Sequence, residues 1–163
     1  MDQYKTIIHI GLHKTGTTYL QWNLFSKLKN ILYIHGSHFF KKWTEQAEKQ
    51  NKYLLISYEG FSGIVWDEKR KRGIDNNHRW LVSFDNNIQL LKRFFPHAVI
   101  IIFFRKHGDL LLSLYKQYIQ EGGTLKLNSF YGTKGIIRPE DLSFRYRINR
   151  LKESFKDVYF LNY

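Results

Sequence analysis

The chain has 163 residues, 43% of them hydrophobic and 17% aromatic, which is enough for one sizeable core and favours a single domain spanning 1–163. It has no cysteine, which excludes disulfides, thiolate metal sites and a cysteine nucleophile and suits a reducing compartment. Twenty-six Lys and Arg against fourteen Asp and Glu give a net charge of +12, suited to an anionic small molecule, nucleic acid or an anionic membrane surface without choosing among them.

The first element is a short apolar run at residues 7–10, read as a buried strand. Gly11 and Gly16 follow, five apart, then Thr17, Thr18 and a helical pattern with Leu20, Leu24 and Leu28 on one face. Residues 31–34 read as a second strand with a turn at Gly36 and Ser37, and 38–50 have helical composition. A third strand at 53–57 ends in Tyr58, Glu59 and Gly60, and the charged stretch 67–77 reads as a loop. Helical spacing returns over 79–95 and is closed by Pro96. Residues 98–104 form the longest apolar run, with no polar alternation, as expected for a strand covered on both faces. A helix over 109–120 stops at Gly122 and Gly123, and the segment to Arg138 reads as a long loop. Pro139, Glu140 and Asp141 signal a helix start, with Phe144, Ile148, Leu151 and Phe155 on a face opposite Arg145, Arg147 and Lys152. Residues 158–161 are the last strand. Strands separated by helices, without hairpin signals, predict a three-layer α/β domain with a parallel sheet of about five strands. The first strand and the strand at 98–104 should be adjacent and central. No run reaches membrane-spanning length, and the early first strand leaves no room for a signal peptide, so the chain is expected to be cytoplasmic.

Strand, glycine loop, helix is an arrangement that holds an anion on backbone N–H groups at the positive end of a helix dipole. A nucleoside-triphosphate loop reads G-x-x-x-x-G-K-[ST], with the lysine after the second glycine. Here Thr17 stands at that place and the lysine is Lys14, inside the loop. The cation is therefore set beside the group carried on a 5′-phosphate instead of reaching along a triphosphate. Arg105 ends the strand at 98–104, and Ser113 follows eight residues later in a helix. That spacing aims a guanidinium and a hydroxyl at one phosphate. An ATPase would be expected to end such a strand with a magnesium-binding aspartate, and Phe104-Arg105 offers none. No histidine pair has metal-ligand spacing. His9, inside the first strand, reads as a packed core residue, and Trp22, Trp43, Trp66 and Trp80 read as core or cleft walls.

The order K-[ST]-G-T-T after a strand resembles the 5′-phosphosulfate loop of the sulfotransferases that use 3′-phosphoadenosine 5′-phosphosulfate (PAPS). Ser113-Leu114-Tyr115-Lys116-Gln117 with Gly122-Gly123-Thr124, and Leu55-Ile56-Ser57-Tyr58-Glu59, resemble segments of bacterial sulfotransferases that act on cell-surface carbohydrates. The resemblance implies a P-loop NTPase-like fold and transfer of a sulfuryl group from PAPS to a hydroxyl of a carbohydrate or glycolipid, with PAP as product and no metal. It assigns His13, Lys14, Thr15, Gly16, Thr17 and Thr18 to the 5′ end of the nucleotide, Tyr19 to the adenine or to helix packing, and Arg105 with Ser113 to the 3′-phosphate. Lys14 would stabilise charge on the bridging oxygen, and the base is Glu59 or one of His35 and His38, which all follow strand ends. These enzymes usually continue beyond the position of Tyr163 with further helices carrying a second nucleotide-binding loop, so the expectation is a domain without that C-terminal part. The other readings are a P-loop nucleotide kinase and a basic nucleic-acid-binding module. Against the second, the positive charge shows no stripe interleaved with stacking aromatics. A peripheral membrane contact is compatible with the charge, and the sequence is silent on oligomeric state.

Overall fold

A computed structural model describes residues 6–36, 40–74 and 80–162. Five strands, β1 (Thr6–Ile10), β2 (Ile31–His35), β3 (Tyr53–Tyr58), β4 (Val99–Phe104) and β5 (Asp157–Asn162), make one all-parallel sheet in the order β2-β3-β1-β4-β5. As expected, β1 and β4 are central neighbours, with Ile8 opposite Ile100 and Ile10 opposite Ile102. On its other side β1 sets Ile10 opposite Tyr58, which brings the ends of β1, β3 and β4 to one edge of the sheet.

Side chains alternate between sheet faces, so the register sorts them. Ile8, Ile10, Leu54, Ile56, Ile100, Ile102 and Phe104 share one face and are buried in the main core. That core is completed by α2 (Phe40–Lys49), α4 (Trp80–Phe94), α5 (His107–Gln120) and α7 (Phe144–Ser154). Within α4, Trp80, Phe84, Ile88 and Leu91 are each 0% exposed, and burying a side chain of this size contributes about 1.5–3 kcal/mol. Lys92 and Arg93 stand in its last turn, where the helix dipole favours cations. The opposite face carries Ile7, His9, Leu55, Ser57, Val99, Ile101 and Phe103, and it is covered by α1 (Thr17–Asn23) with the 3-10 turn Phe25–Lys27. The result is a three-layer α/β arrangement with unequal outer layers.

Four expectations need correction. The apolar run of β4 is not fully covered on both faces: Val99, Ile101 and Phe103 are half-buried while Ile100, Ile102 and Phe104 are buried. β-branched and aromatic residues suit the extended backbone whatever covers them. The leucines do not form one docking face: α1 ends at Asn23, Leu24 and Leu28 beyond it are 48% and 37% exposed, Leu20 is only half-buried, and Thr17, Gln21 and Phe25 are the buried positions. In α7, Arg147 is fully buried instead of lying on the solvent face. The two stretches read as loops each contain a helical turn, α3 (Glu68–Lys71) and α6 (Leu127–Phe130), too short to leave a periodic signal. Asp67 caps α3 by accepting the N–H groups of Lys69 and Arg70. The helix-start signal at Pro139 opens a 3-10 turn, Pro139–Leu142, and Ser143 caps α7.

Candidate functional site

The β1–α1 loop is shaped by steric necessity. A side chain at Gly11 would put its Cβ 2.6 Å from Thr17 and 3.2 Å from the Glu59 backbone, so only glycine lets β1, α1 and the end of β3 meet here. Lys14 and Gly16 both have left-handed backbones, with φ of 64° and 71°. For a lysine that conformation costs about 1–2 kcal/mol, which the rest of the loop must hold in place. Thr15 does part of this, its buried hydroxyl donating to the Leu12 carbonyl at 2.6 Å. Thr17 is different: its hydroxyl is buried and has no hydrogen-bond partner among the described residues. Leaving a buried polar group unsatisfied costs about 1–3 kcal/mol, a cost that a bound anion would remove.

Glu59 opens the 3-10 turn Glu59–Ser62 at the end of β3 and lies directly over this loop. Its Oε2 is 3.4 Å from His13 Nδ1, and its carboxylate lies near enough to the backbone N–H of Lys14 for that dipole to favour its charged form. Burial pushes the Glu59 carboxyl up, but the hydrogen bond and charge of His13 and the N–H and charge of Lys14 together hold it below the usual carboxylate range. His13 Nε2 lies 3.0 Å from the Gly63 carbonyl, which only accepts, so Nε2 carries a hydrogen. Nδ1 then faces the Glu59 carboxylate. From the other side, Arg105 Nη1 donates to the Lys14 carbonyl at 3.0 Å, tying the end of β4 to the loop. Lys14, His13, Glu59 and Arg105 are thus brought together from three strand ends.

The remaining expected residues are less closely gathered. Ser113 is half-buried in α5, two turns beyond Arg105. Thr18 and Tyr19 lie on α1, and Tyr19 is 69% exposed, which rules out helix packing and leaves its ring open to a ligand. His35 is exposed at the end of β2, separated from β1 by β3, with its ring 6.5 Å from that of Tyr58. His38 lies outside the described residues. His9 is a core residue, as expected. Burial pushes its imidazole down to about 4, so it is neutral at physiological pH, with Nδ1 2.8 Å from the Ser57 hydroxyl. Trp22 is 72% exposed on α1 and is not a core residue.

Sequence reasoning missed the supports beneath the loop. Gln21 donates to the Ser57 hydroxyl at 3.0 Å, completing a buried His9–Ser57–Gln21 group that locks α1 to the sheet. A polar residue four positions after Thr17 was the available signal. Trp80 meets the His13 ring edge-on at 5.7 Å, and the Arg147 guanidinium lies 4.5 Å over the Trp80 ring. Burial pushes Arg147 down to about 10, against the opposing pull of Asp141, Asp85 and Tyr146, so it stays charged at neutral pH. Its Nη2 donates to the Asp141 carbonyl. Nothing in the local sequence marks that arginine as a core residue.

No helix among the described residues is long and apolar enough to cross a membrane. No protein-family model, curated protein or solved structure matches the chain significantly.

Proposed function

We propose that this protein transfers the sulfuryl group of PAPS to a hydroxyl of a carbohydrate or glycolipid acceptor. The observation that carries the reading is the meeting of Lys14, Glu59 and Arg105 on one glycine loop: a cation inside the loop, an ionised carboxylate against it and a guanidinium bonded to its backbone. The buried Thr17 hydroxyl fits the same reading, because a phosphate oxygen would supply the partner it lacks.

Glu59 takes the proton of the acceptor hydroxyl as that oxygen bonds to sulfur. The bond between sulfur and the bridging oxygen breaks in the same displacement, and its electron pair leaves on the 5′-phosphate of PAP. Lys14 offsets the charge that grows on that oxygen. A guanidinium has five N–H donors, enough for Arg105 to hold both the Lys14 carbonyl and, with Ser113, the 3′-phosphate. Tyr19 offers its exposed ring to the adenine.

Calorimetry with PAP and with ATP, each with and without a chelator, tests this choice of nucleotide. PAP should bind more tightly than ATP, and its affinity should not change when magnesium is removed. Tighter, magnesium-dependent ATP binding would replace the reading with that of a P-loop kinase.

A further inference from the structure

Arg147 is 0% exposed, yet it carries its charge at neutral pH. Taking a guanidinium out of water is costly, and an apolar side chain of similar length would often fill such a place without loss of stability. Two of its donors, Nε and Nη1, have no hydrogen-bond partner among the described residues, so hydrogen bonding offsets little of that cost. Asp141, Asp85 and Tyr146 favour its charge, and Nη2 donates to the Asp141 carbonyl at 3.0 Å. The faces of the guanidinium meet aromatic rings: it lies 4.5 Å from the centre of the Trp80 ring and 5.0 Å from that of Phe84, one turn apart on α4.

Trp80 connects this charge to the candidate site. Gly63 is pressed against it, so that a Cβ there would lie 2.4 Å from the Trp80 carbonyl oxygen and 2.8 Å from Cδ1 of its ring. The Ser83 hydroxyl closes the contact, donating to the Trp80 carbonyl at 2.9 Å and accepting the Ile64 N–H at 2.7 Å. The Gly63 carbonyl in turn receives His13 Nε2 at 3.0 Å, and the His13 ring meets the indole edge-on at 5.7 Å. Trp80 therefore sets both the packing of the imidazole and the place of its hydrogen-bond acceptor. His13 Nδ1 then stands 3.4 Å from Glu59 Oε2. The other groups that favour the Glu59 charge, the N–H and the ammonium of Lys14, belong to the loop itself.

We propose that Arg147 is a positioning residue for Glu59: backing the Trp80 indole from the core side, it keeps the His13 ring fixed against the carboxylate. The role of Glu59 as a base rests on the transfer reading above, but its contact with His13 does not.

The test follows the Glu59 carboxyl by NMR titration of the nucleotide-free protein, with Glu59→Gln assigning its resonance. Wild type, Arg147→Met, Arg147→Lys and Leu151→Ala are compared. Leu151 is fully buried one turn further along α7 and reports what loosening that helix does by itself. Arg147→Met should move the Glu59 midpoint up toward ordinary carboxylate values, leaving the part of the depression that Lys14 supplies. Arg147→Lys keeps a cation near the indole and should fall between Arg147→Met and wild type. Leu151→Ala should lower the urea unfolding midpoint and leave Glu59 titrating as in wild type. An unmoved Glu59 in Arg147→Met, or an equal move in Leu151→Ala, overturns the proposal. If Arg147→Met does not fold, the comparison of Arg147→Lys with Leu151→Ala decides in the same way. An upward move of Glu59 in a protein that transfers no sulfate would keep Arg147 in this role and remove the transfer reading alone.

Discussion

Glu59 stays ionised although burial opposes it, because His13 and Lys14 together outweigh the desolvation. The folded carboxyl has a depressed pKa, so its contribution to stability is present above the unfolded value and is lost as pH falls through the folded one. The same sign applies to its proposed work as a base: transfer should persist below the usual carboxylate range and fail only once Glu59 is protonated. His13→Gln removes the ring whose hydrogen bond and charge hold Glu59 down, so the acid limb of kcat/KM should move up toward ordinary carboxylate values. A general base contributes about 10²–10⁴-fold, and with Glu59 still present the loss at neutral pH should be smaller, about tenfold. An acid limb that stays where it is in wild type would mean that His13 does not tune Glu59. Glu59 itself was legible in the sequence, since it ends a strand at the edge where the loop lies. Its link to His13 was not, because 46 residues separate them and only the pairing of β1 with β3 brings them together.

Among the elements, α1 matters most for the site because it closes the loop and covers the sheet face opposite the main core. It is held there by Gln21 on Ser57 and by Phe25, whose ring is 5.1 Å from His9. Gln21→Ala leaves the buried Ser57 and its neighbours short of a donor and should destabilise by about 1–2 kcal/mol. Leu24→Ala, on the exposed side, should stay within about 0.5 kcal/mol. Urea unfolding midpoints of the two variants check this, and a larger loss for Leu24→Ala would restore the leucine face as the docking face. The leucine stripe showed that α1 is amphipathic, but periodicity cannot say which side the sheet will take when a buried serine and histidine offer hydrogen bonds. The same limit explains Arg147, whose place in α7 is set by the Trp80 and Phe84 rings of another helix.

Across the whole molecule, the sheet order was legible in outline, because strands divided by helices force crossovers and a glycine loop after the first strand calls for a central position. The distribution of helices between the two faces was not, since the apolar run of β4 reads the same whether one face or both are covered. Nor were the single-turn helices α3 and α6, which are too short to leave a periodic signal. What the architecture achieves is convergence: three parallel strands deliver Lys14, Glu59 and Arg105 to one edge, and the proposed chemistry depends on that meeting. The most direct test is a labelled-sulfate transfer assay from PAPS to extracted cell-surface glycans, run on wild type, Lys14→Ala and Glu59→Gln, with PAP affinity measured in parallel. The account predicts transfer by wild type, loss of transfer in Lys14→Ala, and a Glu59→Gln protein that binds PAP normally but turns over about 10²–10⁴-fold more slowly. Near-normal turnover in Glu59→Gln would pass the role of base to His35 or His38, and absence of transfer by a wild-type protein that binds PAP tightly would contradict the account.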